Sequence, residues 1–214
     1  MIDPRSAAVV MIDMQNGFIN RDSPLCVAGA EASIPACVRV LKRARESGMT
    51  VVHAVRAYAA DGSDVEPCRY DAWLRDRPLS PGCPAPIDAR EPGALAPEKD
   101  DIVVVKPRFS AFFGTDLHGI LAARGIGTVV LIGTTTPNCI RTSCYDALSL
   151  GYNVAVVEDA TSSRNDRVQE SNMEDMAFIG ARIITSLEFS RCLLDDMDDT
   201  AARVKRAVAG DARR

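Results

Sequence analysis

Ala7-Ala8-Val9-Val10-Met11-Ile12 is an unbroken apolar run of strand length, and it ends at once on an acid, Asp13. The same design recurs along the chain. Thr50–Val55 (TVVHAV), Ile102–Val105 (IVVV) and Thr128–Ile132 (TVVLI) are short and rich in β-branched residues, as is Asn153–Val157 (NVAVV). Ile183-Ile184 marks a last, short strand. Strands this apolar have no polar face to offer water, which is the mark of a parallel sheet covered by helices on both sides. Between the first two runs, Ile34, Cys37, Val38, Leu41 and Ala44 recur at helical spacing, and Gly48 stands where a helix-ending glycine belongs. Further helices are predicted near Asp116–Arg124, Cys139–Leu150 and Val168–Gly180. The alternation predicts a doubly wound, three-layer α/β/α fold around a central, mainly parallel sheet of about six strands.

One region breaks the rhythm. Residues 57–99 hold seven of the twelve prolines, Trp73 and two cysteines, with no clear period. So long an irregular stretch within a domain is expected to be a lid, over its own or a neighbouring subunit's pocket, or an oligomer contact; an inert surface insertion is the alternative. The main domain is expected over residues 1–190, with a helical extension over 191–214.

Composition narrows the class. At 47% hydrophobic and 25% charged, the 214 residues are those of a globular chain, not a disordered one. The longest purely apolar stretch is the six residues Ala7–Ile12, far short of the ~20 of a membrane helix. The first residues lack the basic-then-apolar pattern of a secretory signal. Twenty-five basic against 29 acidic residues argue against a nucleic-acid partner. Seven cysteines without a short paired spacing read as reduced thiols and a cytoplasmic location.

In an open α/β sheet, ligands bind beyond the carboxyl ends of the strands. Those ends deliver Asp13, Lys106 and, through Gly133-Thr134-Thr135-Thr136-Pro137-Asn138, Cys139. Singly, each has a plain reading: a loop acid or helix cap, a solvated lysine, a small buried hydrophobe. Their coincidence at equivalent strand ends points to chemistry. Cys139 falls where a helix begins, with Asn138 or Thr136 as its cap. Unpaired N–H groups, the helix dipole and a nearby lysine would all favour the thiolate.

The stretches Val9-Val10-Met11-Ile12-Asp13-Met14-Gln15-Asn16-Gly17-Phe18, Lys106-Pro107-Arg108-Phe109-Ser110-Ala111-Phe112 and Gly133-Thr134-Thr135-Thr136-Pro137-Asn138-Cys139 resemble the three signature segments of the isochorismatase-like cysteine hydrolases. The resemblance runs over roughly residues 6 to 190. It implies a Rossmann-like fold and a catalytic triad of Asp13, Lys106 and Cys139. It also implies a cis peptide at Thr134-Thr135 and an oxyanion hole from the N–H groups of Thr135 and Cys139. Pro137 stands where many members carry Asp.

The resemblance further implies a C–N hydrolase of a small amide, ureido or carbamoyl compound, working through a thioester and releasing ammonia without a cofactor. A homodimer or homotetramer is expected on the same ground. An ester or isochorismate-like ether hydrolase and a catalytically silent interaction module are the rival readings. Metal-binding members carry an Asp and histidines after the second strand. With only His53 and His118 here and no Asp-X-His pair, no metal site is expected. His53 is expected to be a satisfied buried histidine or part of the pocket wall. For substrate binding the candidates are Gln15, Phe18, Arg56, Arg108 and Phe112, with Phe109 beside them. Either arginine could fork onto a carboxylate or pair with the acidic loop Asp61–Glu66.

Overall fold

The protein is described by a computed structural model covering residues 2–192, 194–195 and 197–211. Its strands are β1 (Ala7–Ile12), β2 (Thr50–Val55), β3 (Ile102–Val105), β4 (Thr128–Thr134), β5 (Asn153–Ser162) and β6 (Arg182–Ile184). They form one sheet in the order β3-β2-β1-β4-β5-β6, with every neighbouring pair parallel. The helices are α1 (Asn16–Ile19), α2 (Ala30–Glu46), α3 (Tyr70–Trp73), α4 (Leu117–Ala123), α5 (Arg141–Ser149), α6 (Asp166–Phe178), α7 (Ser186–Cys192) and α8 (Thr200–Asp211).

Side chains alternate across a strand, and β1 feeds two cores. Ala8, Val10 and Ile12 pack with Leu117 and Leu121 of α4, Cys144 and Ala147 of α5, and Met173 and Met176 of α6. Ala7, Val9 and Met11 pack with Cys37, Val40, Leu41 and Ala44 of α2 and Phe189 of α7. Each fully buried Val, Leu or Ile contributes ~1.5–3 kcal/mol, so an apolar run buried on both faces fixes the layers around it. Gly48 ends α2 at φ +72, while Met49 N–H bonds the Ala44 carbonyl at 3.0 Å and Gly48 N–H bonds Arg45 at 3.1 Å. That is the αL cap read from the sequence.

Two elements differ from the sequence expectation. β5 runs on to Ser162 because its pairing with β4 slips: Leu131 faces Val156, but Gly133 faces Thr161. The extra residues loop out, which leaves Glu158 and Asp159 exposed within an otherwise buried strand. α5 begins at Arg141, preceded by a wide π-helical turn, Thr136–Ile140, whose cap residue is Thr135 instead of Thr136 or Asn138.

Residues 57–99 contain only short turns and α3, yet they are packed. Phe18, Tyr58, Val65, Trp73 and Leu79 form a small core of their own, and Trp73 Nε1 donates to Ser80 Oγ at 3.1 Å. α8 is tied to the start of β5 by Asn153, which donates to Asp199 Oδ1 at 2.9 Å and accepts from Ala201 N–H at 3.0 Å. Residues 212–214 of the expected extension lie outside the described residues. No helix among the described residues is long and apolar enough to cross a membrane.

Candidate active site

The strand order reverses between β1 and β4, so a crevice opens beyond their carboxyl ends. β1 hands over directly to Asp13, which adopts φ +54 with its N–H bonded to Ala54 of β2 at 3.0 Å. An acid tolerates this left-handed conformation better than most residues. β4 approaches β1 so closely that a Cβ on Gly133 would fall 2.7 Å from the Ile12 nitrogen and closer still to its carbonyl. With φ +110 as well, only glycine fits there. The Thr134-Thr135 peptide that follows is cis. Thr135 Oγ1 and Thr136 Oγ1 both donate to the Ser162 carbonyl, at 3.3 and 3.0 Å.

Lys106 leaves the end of β3, its N–H held by Val55 at 2.9 Å, and reaches back beneath the rim. Its Nζ donates to Asp13 Oδ2 at 2.8 Å and to the Arg108 carbonyl at 3.0 Å, and lies 3.8 Å from Cys139 Sγ. Both side chains of the ion pair are 2% exposed. The other carboxylate oxygen, Asp13 Oδ1, is buried with no hydrogen-bond partner among the described residues. Asp13, Cys139, Thr134 and Thr135 share a cavity of about 230 Å³ with Phe18, Cys26, Arg69, Asn138 and Arg164.

The electrostatics differ from the expected stabilised thiolate. Burial pushes the Cys139 thiol up, and the Asp13 carboxylate adds to it, to about 11; Lys106 and Arg69 pull the other way and are outweighed. A charge taken wholly from water loses more than Lys106, already paired with Asp13, and Arg69 return. For Lys106 burial works against the charge, but the paired Asp13 carboxylate favours it and the pKa is raised. Lys106 therefore rests charged and Cys139 as a neutral thiol.

Among the other candidates, only Phe18 lines this cavity. Gln15 is fully buried with its amide in use: Nε2 donates to the carbonyls of Arg56 and Ala89, and Oε1 accepts from Arg56 N–H. It buckles the irregular segment to the end of β2. Arg56 is 1% exposed, pairs with Asp64, donates to the Ala57 carbonyl and stacks on Tyr58 at 4.0 Å. Arg108 donates to the carbonyls of Asp64 and Pro107. Both guanidiniums thus bind the acidic loop, the plainer of the two sequence readings. Phe112 sits in the core, 6.0 Å from the Tyr152 ring. His53 is wholly buried, with Nδ1 2.8 Å from Glu91 and Nε2 3.1 Å from Asp101. No group of three or more His, Cys, Asp or Glu side chains suited to a metal occurs among the described residues.

The sequence reading missed Arg69 and Arg164. Arg69 lies in a segment with no period to place it, and Arg164 in the turn between β5 and α6.

Against known proteins, the Isochorismatase domain model matches residues 7–188. A protein named "Probable inactive nicotinamidase At3g16190", from Arabidopsis thaliana, is 37% identical over 87% of this chain and 95% of its own length. A maleamate amidohydrolase from Pseudomonas putida is 33% identical over 80% of this chain and 79% of its own. Among solved structures, an isochorismatase family protein from Desulfovibrio vulgaris superposes with a TM-score of 0.81 at 40% identity, covering 90% of this chain and 97% of that one.

Proposed function

The chain belongs to the isochorismatase family, and from that premise we propose that it is a cysteine-dependent hydrolase of small, non-peptide amide or ureido compounds. Asp13, Lys106 and Cys139 are its catalytic residues in this reading. The observation that carries it is the position of Lys106 Nζ, 2.8 Å from Asp13 Oδ2 and 3.8 Å from Cys139 Sγ, behind the two residues of the three that line a cavity.

The chemistry follows from the neutral resting thiol. As Cys139 Sγ attacks the substrate carbonyl, its proton passes to the Asp13 carboxylate, whose Oδ1 has no hydrogen-bond partner among the described residues. The carbonyl oxygen becomes an oxyanion held by the N–H groups of Thr135 and Cys139, each donor worth ~3 kcal/mol in comparable sites. Asp13 then gives the proton to the departing nitrogen, and ammonia leaves. A water deprotonated by Asp13 attacks the thioester, releases the acid and restores the thiol. Lys106 keeps the carboxylate in place and offsets negative charge as it moves from Asp13 to sulfur to oxygen.

The test is ammonia release across carbamoyl amino acids, biuret-like ureas, maleamate and nicotinamide, with Cys139→Ala as control. Turnover of an amide by the wild type, lost in that variant, supports the reading. Activity that survives in Cys139→Ala overturns the nucleophile. The name of the Arabidopsis relative favours a second reading, a silent module on the same fold. Absence of ammonia from every amide would favour it.

A further inference from the structure

Arg69 closes the short Pro67–Arg69 turn of the irregular segment and enters the cavity that holds Cys139. Its guanidinium carbon lies 4.9 Å from the ring centre of Phe109 and 5.5 Å from that of Phe18. Two aromatic rings therefore flank it and fix its position. Half-buried there, the guanidinium has the Tyr58 hydroxyl as a side-chain partner and makes no ion pair among the described residues. The acids within reach are committed elsewhere. Asp13 pairs with Lys106 at 2.8 Å, and Glu66 takes the Tyr58 hydroxyl at 2.7 Å and stands 3.5 Å from Arg56. Arg56 and Arg108, by contrast, both donate from their terminal nitrogens to the Asp64 carbonyl and to a neighbouring backbone carbonyl, Ala57 and Pro107 respectively.

The cavity wall is consequently unbalanced. Lys106 cancels Asp13, Cys139 rests neutral, and Arg69 remains as the half-buried positive charge, with the exposed Arg164 also lining the cavity. A guanidinium drawn partly from water with its fork incompletely matched is costly, and a bound anion removes that cost.

We propose that Arg69 is the specificity-determining residue of this site: its guanidinium forks onto a carboxylate of the substrate while the scissile carbonyl faces Cys139. The proposal rests on the hydrolase reading above. Monoamides of dicarboxylic acids and N-carbamoyl amino acids supply both groups. A neutral amide of the same size fills the pocket but leaves the guanidinium desolvated and unmatched, so the site discriminates against it.

The experiment compares maleamate with (Z)-but-2-enamide, a neutral amide of the same cis geometry, in the wild type, Arg69→Lys and Arg69→Met. The readout is the ratio of their kcat/KM values, because the charge of Arg69 also acts on the thiol and its loss slows both substrates. The ratio is expected to fall about 100-fold in Arg69→Met, chiefly through the KM for maleamate, with Arg69→Lys between. A ratio that does not move overturns the proposal. A second arm needs no turnover. Cys139→Ala is titrated calorimetrically with maleate, and the binding heat is expected to vanish in Cys139→Ala/Arg69→Met, folding being checked by circular dichroism. Unchanged maleate binding in a folded double variant overturns the anchor whatever the activity. Failure of the wild type to release ammonia while Arg69-dependent binding persists overturns the hydrolase reading and leaves the anchor standing.

Discussion

Burial, and after it the Asp13 carboxylate, holds the Cys139 thiol in its protonated form by pushing it to about 11. The group placed to take the proton also keeps it on sulfur until a substrate arrives. A site built this way has little standing thiolate at neutral pH, so its cysteine is shielded from adventitious electrophiles.

The wild-type thiol should therefore react slowly with iodoacetamide near pH 7, and its rate should climb toward pH 11 instead of levelling near 8.5. Asp13→Asn removes the negative neighbour and leaves Lys106 facing the sulfur. The alkylation midpoint should fall while hydrolysis is lost, so the two measurements move in opposite directions. A midpoint that stays put in Asp13→Asn would remove Asp13 from the account.

Lys106 neutralises a buried acid, and deleting it strands that acid. Lys106→Met should lose about 3–5 kcal/mol in urea unfolding, raise the thiol midpoint further, and cut ammonia release at least about 100-fold. A variant as stable as the wild type would mean that the pair seen at 2.8 Å contributes nothing.

Gly133→Ala places a methyl group against the backbone of Ile12 at φ +110. Either the strands part or the turn to Cys139 shifts. A loss of about 3 kcal/mol in stability is expected, with activity falling further than folding alone explains. Denaturant melts and turnover on the same sample separate the two effects.

Stability should fall at both pH extremes. Asp101 is depressed: burial opposes its charge, but the Arg45 hydrogen bond and the Glu98 N–H prevail. Glu66 is also depressed, with burial outweighed by the Tyr58 hydrogen bond. Lowered carboxylates contribute stability above their ordinary range, and that stability is lost as pH falls below about 4. On the alkaline side, burial raises Cys37 and Cys144 to about 12 and, with Asp13, Cys139 to about 11, from an ordinary value near 9. Raised thiols contribute below that ordinary value, so unfolding free energy should decline as pH climbs from about 9 toward 11. Urea melts at pH 3, 7 and 10 test both arms.

The strands and the three rim residues were legible in the sequence because they depend on local pattern and chain order. Ala7–Ile12 can only be a strand buried on both faces, and whatever follows such a strand must surface at the rim. The state of the thiol was not legible. Helix dipole and lysine can be read from neighbours in sequence, whereas the depth of burial and the Asp13 charge come from the packed fold. Arg69 was hidden for a related reason: a proline-rich segment has no period, and only its small core around Trp73 aims the Pro67–Arg69 turn at the cavity. Arg56 and Arg108 drew attention through proximity to motif residues, but both turn their terminal nitrogens to the Asp64 loop and lie outside the cavity lining.

The sheet carries the sulfur, the acid and the ammonium, while Arg69 arrives on a separately packed patch held by Phe18, Tyr58, Val65, Trp73 and Leu79. Under the roles proposed for these residues, reaction and choice of molecule are written in different places. Exchange of residues 57–99 between homologues offers a route to new substrates with the reactive trio untouched, and drift in that patch can retune the diet of the enzyme without disturbing its engine.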